Sequence, residues 1–214
     1  MDGCSMGTDS YFAATLTGKI LRKIAKAFSY REFVTKESVD VQQLLHNVIR
    51  QLFRELHDLK NGMQLEKHEM LNTLLIAIID TNQRKGELLC VGDGLVCING
   101  EFVEFEQNDK PDYLGYHLDE DFDAWYSNQN QKISATDISD ISITTDGIFT
   151  FKRFNNKVYA EQENIIDFLL INSEDIKNEV MLHRKLIDIE TTWGLRPTDD
   201  LAIIRLIFST DSTI

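Results

Sequence analysis

Between Val41 and Leu59 the apolar residues recur at three- and four-residue steps: Val41, Leu44, Leu45, Val48, Ile49, Leu52, Phe53, Leu56 and Leu59. That spacing draws one continuous stripe along a helix of about five turns. A stripe this wide has to be covered, so the helix demands a partner layer and cannot stand alone. Asp40 or Ser38 supplies the N-cap. A second helical pattern precedes it, from Tyr11 to about Tyr30, with Phe12, Leu16, Ile20 and Ile24 joined by Leu21 and Phe28, capped by Asp9 or Ser10. Both helices come before any strong strand, so they are expected to lie side by side on one face of a sheet.

From Asn72 the period changes. Leu74 to Ile79 reads as a buried strand, followed by a polar turn at Asn82 to Gly86 and a second run, Leu88 to Val91. Gly92-Asp93-Gly94 leads into Leu95 to Ile98. Asn99-Gly100 is a strong hairpin signal, and the segment after it, Phe102 to Phe105, alternates with glutamates. Strands joined by turns this short are expected to be antiparallel. Phe122 to Tyr126 fits a strand or a loop. Ile138 to Thr145 is another strand, Asn164 to Leu170 and Asn178 to Ile189 are helical, and Leu201 to Phe208 closes the chain as a strand. Paired helices with antiparallel strands between them predict an α+β fold whose helical layers lie outside its sheet layers.

At 214 residues, with only two prolines and no Ser/Gly-rich linker, the chain is expected to form a single domain over residues 1–214. No apolar stretch is long enough to span a bilayer, which argues against a membrane partner. Three cysteines, Cys4, Cys90 and Cys97, show neither an even count nor Cys-x-x-Cys spacing, which favours reduced thiols and a cytoplasmic location. The net charge of −13 repels phosphate backbones and disfavours nucleic acid as a partner. The five histidines lack zinc spacing, with His46 and His57 expected along a helix surface. Gly18-Lys19 lacks the flanking residues of a phosphate loop. Trp125 and Trp193 read as packing residues, and the acidic run Asp119 to Asp123 as a solvated loop, a candidate substrate-selecting flap.

Four aspartate sites flank short apolar runs: Asp2-Gly3, Asp93-Gly94, Asp146-Gly147 and Asp199-Asp200. Each alone is an ordinary turn signal, since Asp-Gly is a common hairpin step. As a set they are carboxylates placed at strand ends, which is one way to gather hard oxygen ligands at the rim of a sheet for a divalent cation.

The order of these motifs, Asp-Gly, two long helices, a strand, Val-Gly-Asp, a hairpin, Ile-Ser-Ile-Thr-Thr-Asp-Gly-Ile-Phe and a terminal Asp-Asp-Leu-Ala-Ile-Ile, resembles the metal-dependent protein phosphatases of type 2C over essentially the whole chain. The resemblance implies a four-layer αββα sandwich of two mainly antiparallel sheets flanked by helix pairs. It also implies two manganese or magnesium ions and a third, weaker site. In that scheme Asp2 bridges the two metals and Gly3 gives one of them a backbone carbonyl. Asp146 and Asp199 complete the core ligands, Asp93 belongs to the weaker metal, and Asp200 takes the place of the family's asparagine. Asp2, Asp146 and Asp199 are then the candidate catalytic residues. The implied activity is hydrolysis of phosphoserine or phosphothreonine in a phosphorylated protein substrate by a metal-activated water.

The chain departs from the family's pattern in four places. It starts at the first Asp-Gly, without the preceding strands and their phosphate-binding arginine and acidic residue, so a longer protein with those strands upstream is expected. Cys4 stands where many members carry a histidine. Gly94-Leu95 replaces Ser-Arg after Asp93, and Thr150 replaces an acidic residue four positions after Asp146. These departures motivate the alternative, a non-catalytic phosphatase-like domain that binds a protein partner or a phosphopeptide.

Overall fold

The computed structural model describes residues 1–3, 10–35, 40–106, 112–154 and 164–208. Asp9, Ser38 and Cys4 lie outside them. The chain falls into two compact units, one built from Met1–Asp93 and Phe105–Asp137, the other from Gly94–Glu104 and Ile138–Ile214.

In the first unit the two expected long helices are α1 (Ser10–Thr35) and α2 (Val41–Gly62). Asp40 caps α2, its carboxylate accepting from the Gln43 N–H at 3.1 Å. The α2 stripe is buried as its period requires, with Leu45, Ile49, Leu52 and Leu56 essentially inaccessible. They pack with Ile20 and Ile24 of α1 and with Leu74, Leu89 and Val91. The last three come from β1 (Leu74–Asp80) and β2 (Lys85–Val91), an antiparallel pair whose register runs from Leu74 opposite Val91 to Asp80 opposite Lys85. β5 (Lys132–Ala135) adds to the other edge of β2 to give the order β1-β2-β5. Burying each large aliphatic residue contributes about 1.5–3 kcal/mol, so this cluster outweighs any single polar contact in the unit.

The segment after the hairpin folds back on α2 as two short helices, α3 (Leu114–His117) and α4 (Phe122–Ser127). The stretch Phe122 to Tyr126 is thus helical, neither strand nor loop. Asp121 caps it by accepting from the Ala124 N–H at 2.9 Å. Trp125 is buried among Phe53, Phe122 and the His117 ring, a packing residue as expected. His46 is not a plain surface residue: its ring lies against Phe122 and Tyr126. Nor is the acidic run simply solvated. Both carboxylate oxygens of Asp119 accept from Lys60 Nζ at 2.6 Å, and Asp123 pairs with Arg50. The hydrogen bond from Lys60 holds the Asp119 carboxyl below the usual carboxylate range.

The second unit carries a four-stranded sheet in the order β4-β3-β6-β9, from β3 (Gly94–Ile98), β4 (Glu101–Phe105), β6 (Asp140–Thr144) and β9 (Ile203–Ile207). Asn99 and Gly100 join β3 to β4 with φ of 52° and 88°, the paired positive angles a two-residue hairpin needs. Asn99 Oδ1 also accepts from the Ser139 N–H at 2.8 Å. By contrast Gly92-Asp93 does not close a hairpin, because β2 and β3 belong to different sheets. A further two-stranded ladder pairs β7 (Phe151–Arg153) with β8 (Leu195–Pro197). Leu95 and Cys97 pack with Leu169, Leu170, Ile189 and Trp193 from α5 (Ile165–Leu170) and α6 (Met181–Thr192) and their flanks. Arg205, its side chain 1% exposed, pairs with Asp140 and donates to the Leu169, Ile171 and Asn172 carbonyls at the end of α5. The fold is α+β, with two main antiparallel sheets that each carry their own helix pair.

Candidate metal centre

In the first unit Asp2 and Gly3 run alongside the residues that lead into β1. Gly3 forms an antiparallel bridge with Asn72. The Thr73 N–H donates to the Asp2 carbonyl at 2.9 Å, and the Asp2 N–H donates back to Thr73 Oγ1 at 3.0 Å. Because Leu74 lies opposite Val91, the start of β1 and the exit of β2 share one end of the sheet. Gly92-Asp93 follows directly. A methyl group on Gly92 would fall 2.7 Å from Thr73 Cγ2, so the Gly92 backbone rests on the Thr73 side chain. Gly92 also has φ of +107°, a conformation that glycine alone adopts at little cost. The fold therefore brings the Asp2-Gly3 and Gly92-Asp93 steps to the same end of the same sheet. Asp2 is buried and Asp93 half-buried.

In the second unit Asp146 opens a single 3-10 turn, Asp146–Phe149, as the chain leaves β6. Asp199 and Asp200 precede β9, and Thr144 lies opposite Ile203, so these two steps also share one sheet end. A methyl group on Gly147 would stand 2.3 Å from the Asp200 carbonyl oxygen, which requires glycine for close approach of the two backbones. Thr145 Oγ1 donates to the Asp200 carbonyl and accepts from the Ala202 N–H, each at 3.0 Å. Thr150 Oγ1 accepts from the Thr198 and Asp199 N–H groups at 3.2 Å and donates to the Gly147 carbonyl at 2.9 Å. Asp199 Oδ1 itself accepts from the Asp200 N–H at 2.9 Å. Asp146 is half-buried, and Asp199 and Asp200 are exposed.

The carboxylates therefore come in two pairs, Asp2 with Asp93 and Asp146 with Asp199. Among the described residues, no three Asp, Glu, His or Cys side chains gather into a cluster able to hold a metal ion. The donor chemistry nevertheless suits a hard divalent cation, which prefers carboxylate and carbonyl oxygens and a few waters. Thr150, noted in the sequence as a departure, holds the Asp199 backbone. Thr73 and Thr145 are residues the sequence did not mark, because each acts through partners more than fifty residues away in the chain. Cys90, beside the first pair, is buried and donates to the Gly92 carbonyl at 3.4 Å; burial pushes its thiol far up, so it stays protonated.

Among solved structures, the catalytic domain of the serine/threonine protein phosphatase PstP, in complex with two manganese ions, matches with a TM-score of 0.56 at 13% identity, over 89% of this chain and 80% of that one. The Mycobacterium tuberculosis serine/threonine phosphatase PstP/Ppp matches with a TM-score of 0.52 at 15% identity, over 94% of this chain and 83% of that one. At such identities the likeness is one of fold. No curated protein matches the chain. The family model of protein phosphatase 2C matches residues 1–183, which takes in the first three aspartate sites and most of both units. The chain belongs to the protein phosphatase 2C family.

Proposed function

We propose that the chain acts as one phosphatase domain that hydrolyses phosphoserine or phosphothreonine in proteins with manganese or magnesium. The observation that carries this reading is the family match across residues 1–183, combined with the pairing of its aspartates at sheet ends. A bound pair of divalent cations would supply an acidified water and offset the charge of the substrate phosphate. The PstP catalytic domain was solved with two manganese ions, which supports that choice of metal.

The work of this chain's own residues is to present oxygen donors. In the proposed assignment Asp2, Asp146 and Asp199 give carboxylates to the two main ions, Gly3 gives its backbone carbonyl, and Asp93 serves a third, weaker ion. The fold supports the assignment by anchoring these residues through backbone groups. Thr73 takes the Asp2 N–H and Thr150 takes the Asp199 N–H, so neither threonine draws on the carboxylate it positions. No helix among the described residues is long and apolar enough to cross a membrane. Cys90 and Cys97 are buried as thiols, neither one in a disulfide, which supports a cytoplasmic setting.

The test is phosphate release from a phosphothreonine peptide, with and without manganese, for wild type and Asp146→Asn. The expected outcome is manganese-dependent release that falls at least about 100-fold in the variant, the loss of roughly 3 kcal/mol of transition-state stabilisation. Equal rates for the two proteins would remove the case for catalysis. A second reading, a non-catalytic phosphopeptide-binding domain, draws on Thr150, whose hydroxyl is spent on backbone groups where the family's acidic residue would stand. Peptide binding without turnover at saturating manganese would favour it.

A further inference from the structure

We infer that Thr73 is a positioning residue for the first aspartate pair, with its hydroxyl fixing the backbone of Asp2 and its methyl fixing the turn at Gly92. The inference rests on the reading of Asp2, Gly3 and Asp93 as metal ligands. Thr73 is buried at the step just before β1. Its two Cβ substituents face different loops: Oγ1 accepts from the Asp2 N–H at 3.0 Å, and Cγ2 lies where a methyl on Gly92 would be 2.7 Å away. A β-branched side chain is stiff about χ1, so these two arms hold a fixed angle to each other. One side chain therefore touches both the Asp2 backbone and the turn that carries Asp93. Threonine alone among the twenty residues carries a hydroxyl and a methyl on the same Cβ. Serine keeps only the first and valine has no hydroxyl.

Thr73 is itself held from behind. The Asn72 side-chain amide donates to the Thr73 carbonyl at 2.9 Å, and Asn72 Oδ1 accepts from Thr17 Oγ1 at 3.2 Å. Thr17 lies on α1 and is fully inaccessible, and Asn72 is 2% exposed. Asn72 also bridges Gly3. The brace thus runs from the interior face of α1 through Asn72 and Thr73 to the backbone of both residues that the proposed site draws on. Buried polar chains of this kind specify a position because any shift leaves a donor or acceptor unpaired. A backbone ladder alone would hold Asp2 with any residue at position 73; the side-chain acceptor restricts the position to a hydroxyl, and the methyl against Gly92 restricts it to threonine.

The test compares wild type, Thr73→Val and Thr73→Ser by two measurements. The first is NMR amide exchange at Asp2 in metal-free protein with chelator present. Exchange should quicken at least about tenfold in Thr73→Val, the loss of one hydrogen bond, and stay within about threefold of wild type in Thr73→Ser. The second is manganese affinity by calorimetry, expected to fall about tenfold in Thr73→Val and two- to fivefold, by rough estimate, in Thr73→Ser. Unchanged Asp2 exchange in Thr73→Val would overturn the role of the hydroxyl, and wild-type affinity in Thr73→Ser would overturn that of the methyl. Should Thr73→Val fail to fold, the serine variant still tests both, because fast Asp2 exchange despite a retained hydroxyl also counts against the inference. If wild type binds no manganese, the metal-ligand reading falls, and the metal-free exchange decides the positioning of Asp2 by itself.

Discussion

Around Asp2 and Asp93 the neighbouring loops meet through a side chain, whereas around Asp146 and Asp199 they meet backbone to backbone. At the first end Thr73 stands between the two steps, its methyl against Gly92 and its hydroxyl on the Asp2 N–H. At the second, Gly147 is pressed onto the Asp200 carbonyl and the threonines Thr145 and Thr150 bind the flanks. Both ends need a glycine next to an aspartate, for different physical reasons. Gly92 needs its positive φ and room for the Thr73 methyl. Gly147 needs the absence of any Cβ, because what it meets is main chain. A side-chain contact can be retuned by substitution, but a backbone contact cannot.

The sharpest way to break this comparison is to add a methyl at each glycine. Gly147→Ala should cost about 2–3 kcal/mol, because a carbonyl oxygen 2.3 Å from the new Cβ has to move with its loop. In a chain of this size that lowers Tm by about 5–10 °C. Gly92→Ala should cost a comparable amount, part from strain at φ +107° and part from the Thr73 methyl. The second part is removable: Thr73→Ser in the Gly92→Ala background should restore about 1 kcal/mol, measured as coupling in a double-mutant cycle of urea unfolding. Additive effects of the two changes would show that Thr73 and Gly92 do not press on each other, and the distinction between the ends would fail.

The next largest effect lies in the threonines of the second end. Thr150→Val takes the hydroxyl acceptor from the Asp199 N–H, while the Thr198 N–H keeps the Thr150 carbonyl and the Gly147 carbonyl keeps the Thr150 N–H. The expected cost is about 1–2 kcal/mol, moderated because Thr150 is only half-buried and water can enter. Thr150→Ser, which keeps the hydroxyl, should recover most of it. Urea midpoints for the three proteins check this. A serine variant as unstable as the valine one would assign the loss to packing of the methyl instead, making the second end resemble the first.

How much of this could be read in the sequence depends on the range of the forces involved. The α2 stripe, the Asp40 cap and the Asn99-Gly100 turn are set by neighbours within a few residues, and all three are found where the pattern puts them. The short helix at Phe122 was not legible, since six residues carry less than two turns of periodicity and its burial comes from Phe53 on α2. β5, β7 and β8 escaped for the same reason: three or four residues cannot show alternation. At the candidate site the aspartates stood out because Asp-Gly is a local signal. Thr73 and Thr145 did not, and Thr150 did only as a departure from the family pattern, because a threonine hydroxyl looks the same in sequence whether it faces water or an amide 71 positions away.

The smallest expected effect is one of pH, and it separates the two ends by what stands behind them. Behind Gly92 is the Asp112 carbonyl, 3.2 Å from the position of a Cβ on that glycine. The Asp112 carboxylate bonds His117 Nε2 at 2.6 Å, and Glu120 holds the other ring nitrogen at 2.9 Å, with Trp125 against the ring. Burial by itself pushes the His117 ring down, but the hydrogen bonds and charges of Asp112 and Glu120 outweigh it and leave its pKa raised. A raised folded-state value means that the stabilisation is fully present below the unfolded histidine pKa of about 6.5 and is lost as pH rises through the folded value. Wild type should therefore lose stability as pH climbs above about 6.5, while His117→Gln should stay level over the same interval. Urea midpoints measured in half-unit steps of pH would show it, and parallel curves for the two proteins would sink it. Behind Asp199 the hydrogen-bonding groups are the hydroxyls of Thr145 and Thr150, which do not titrate in this range. Amide exchange at Asp199, corrected for intrinsic base catalysis, should then hold steady through the pH interval in which exchange at Gly92 quickens.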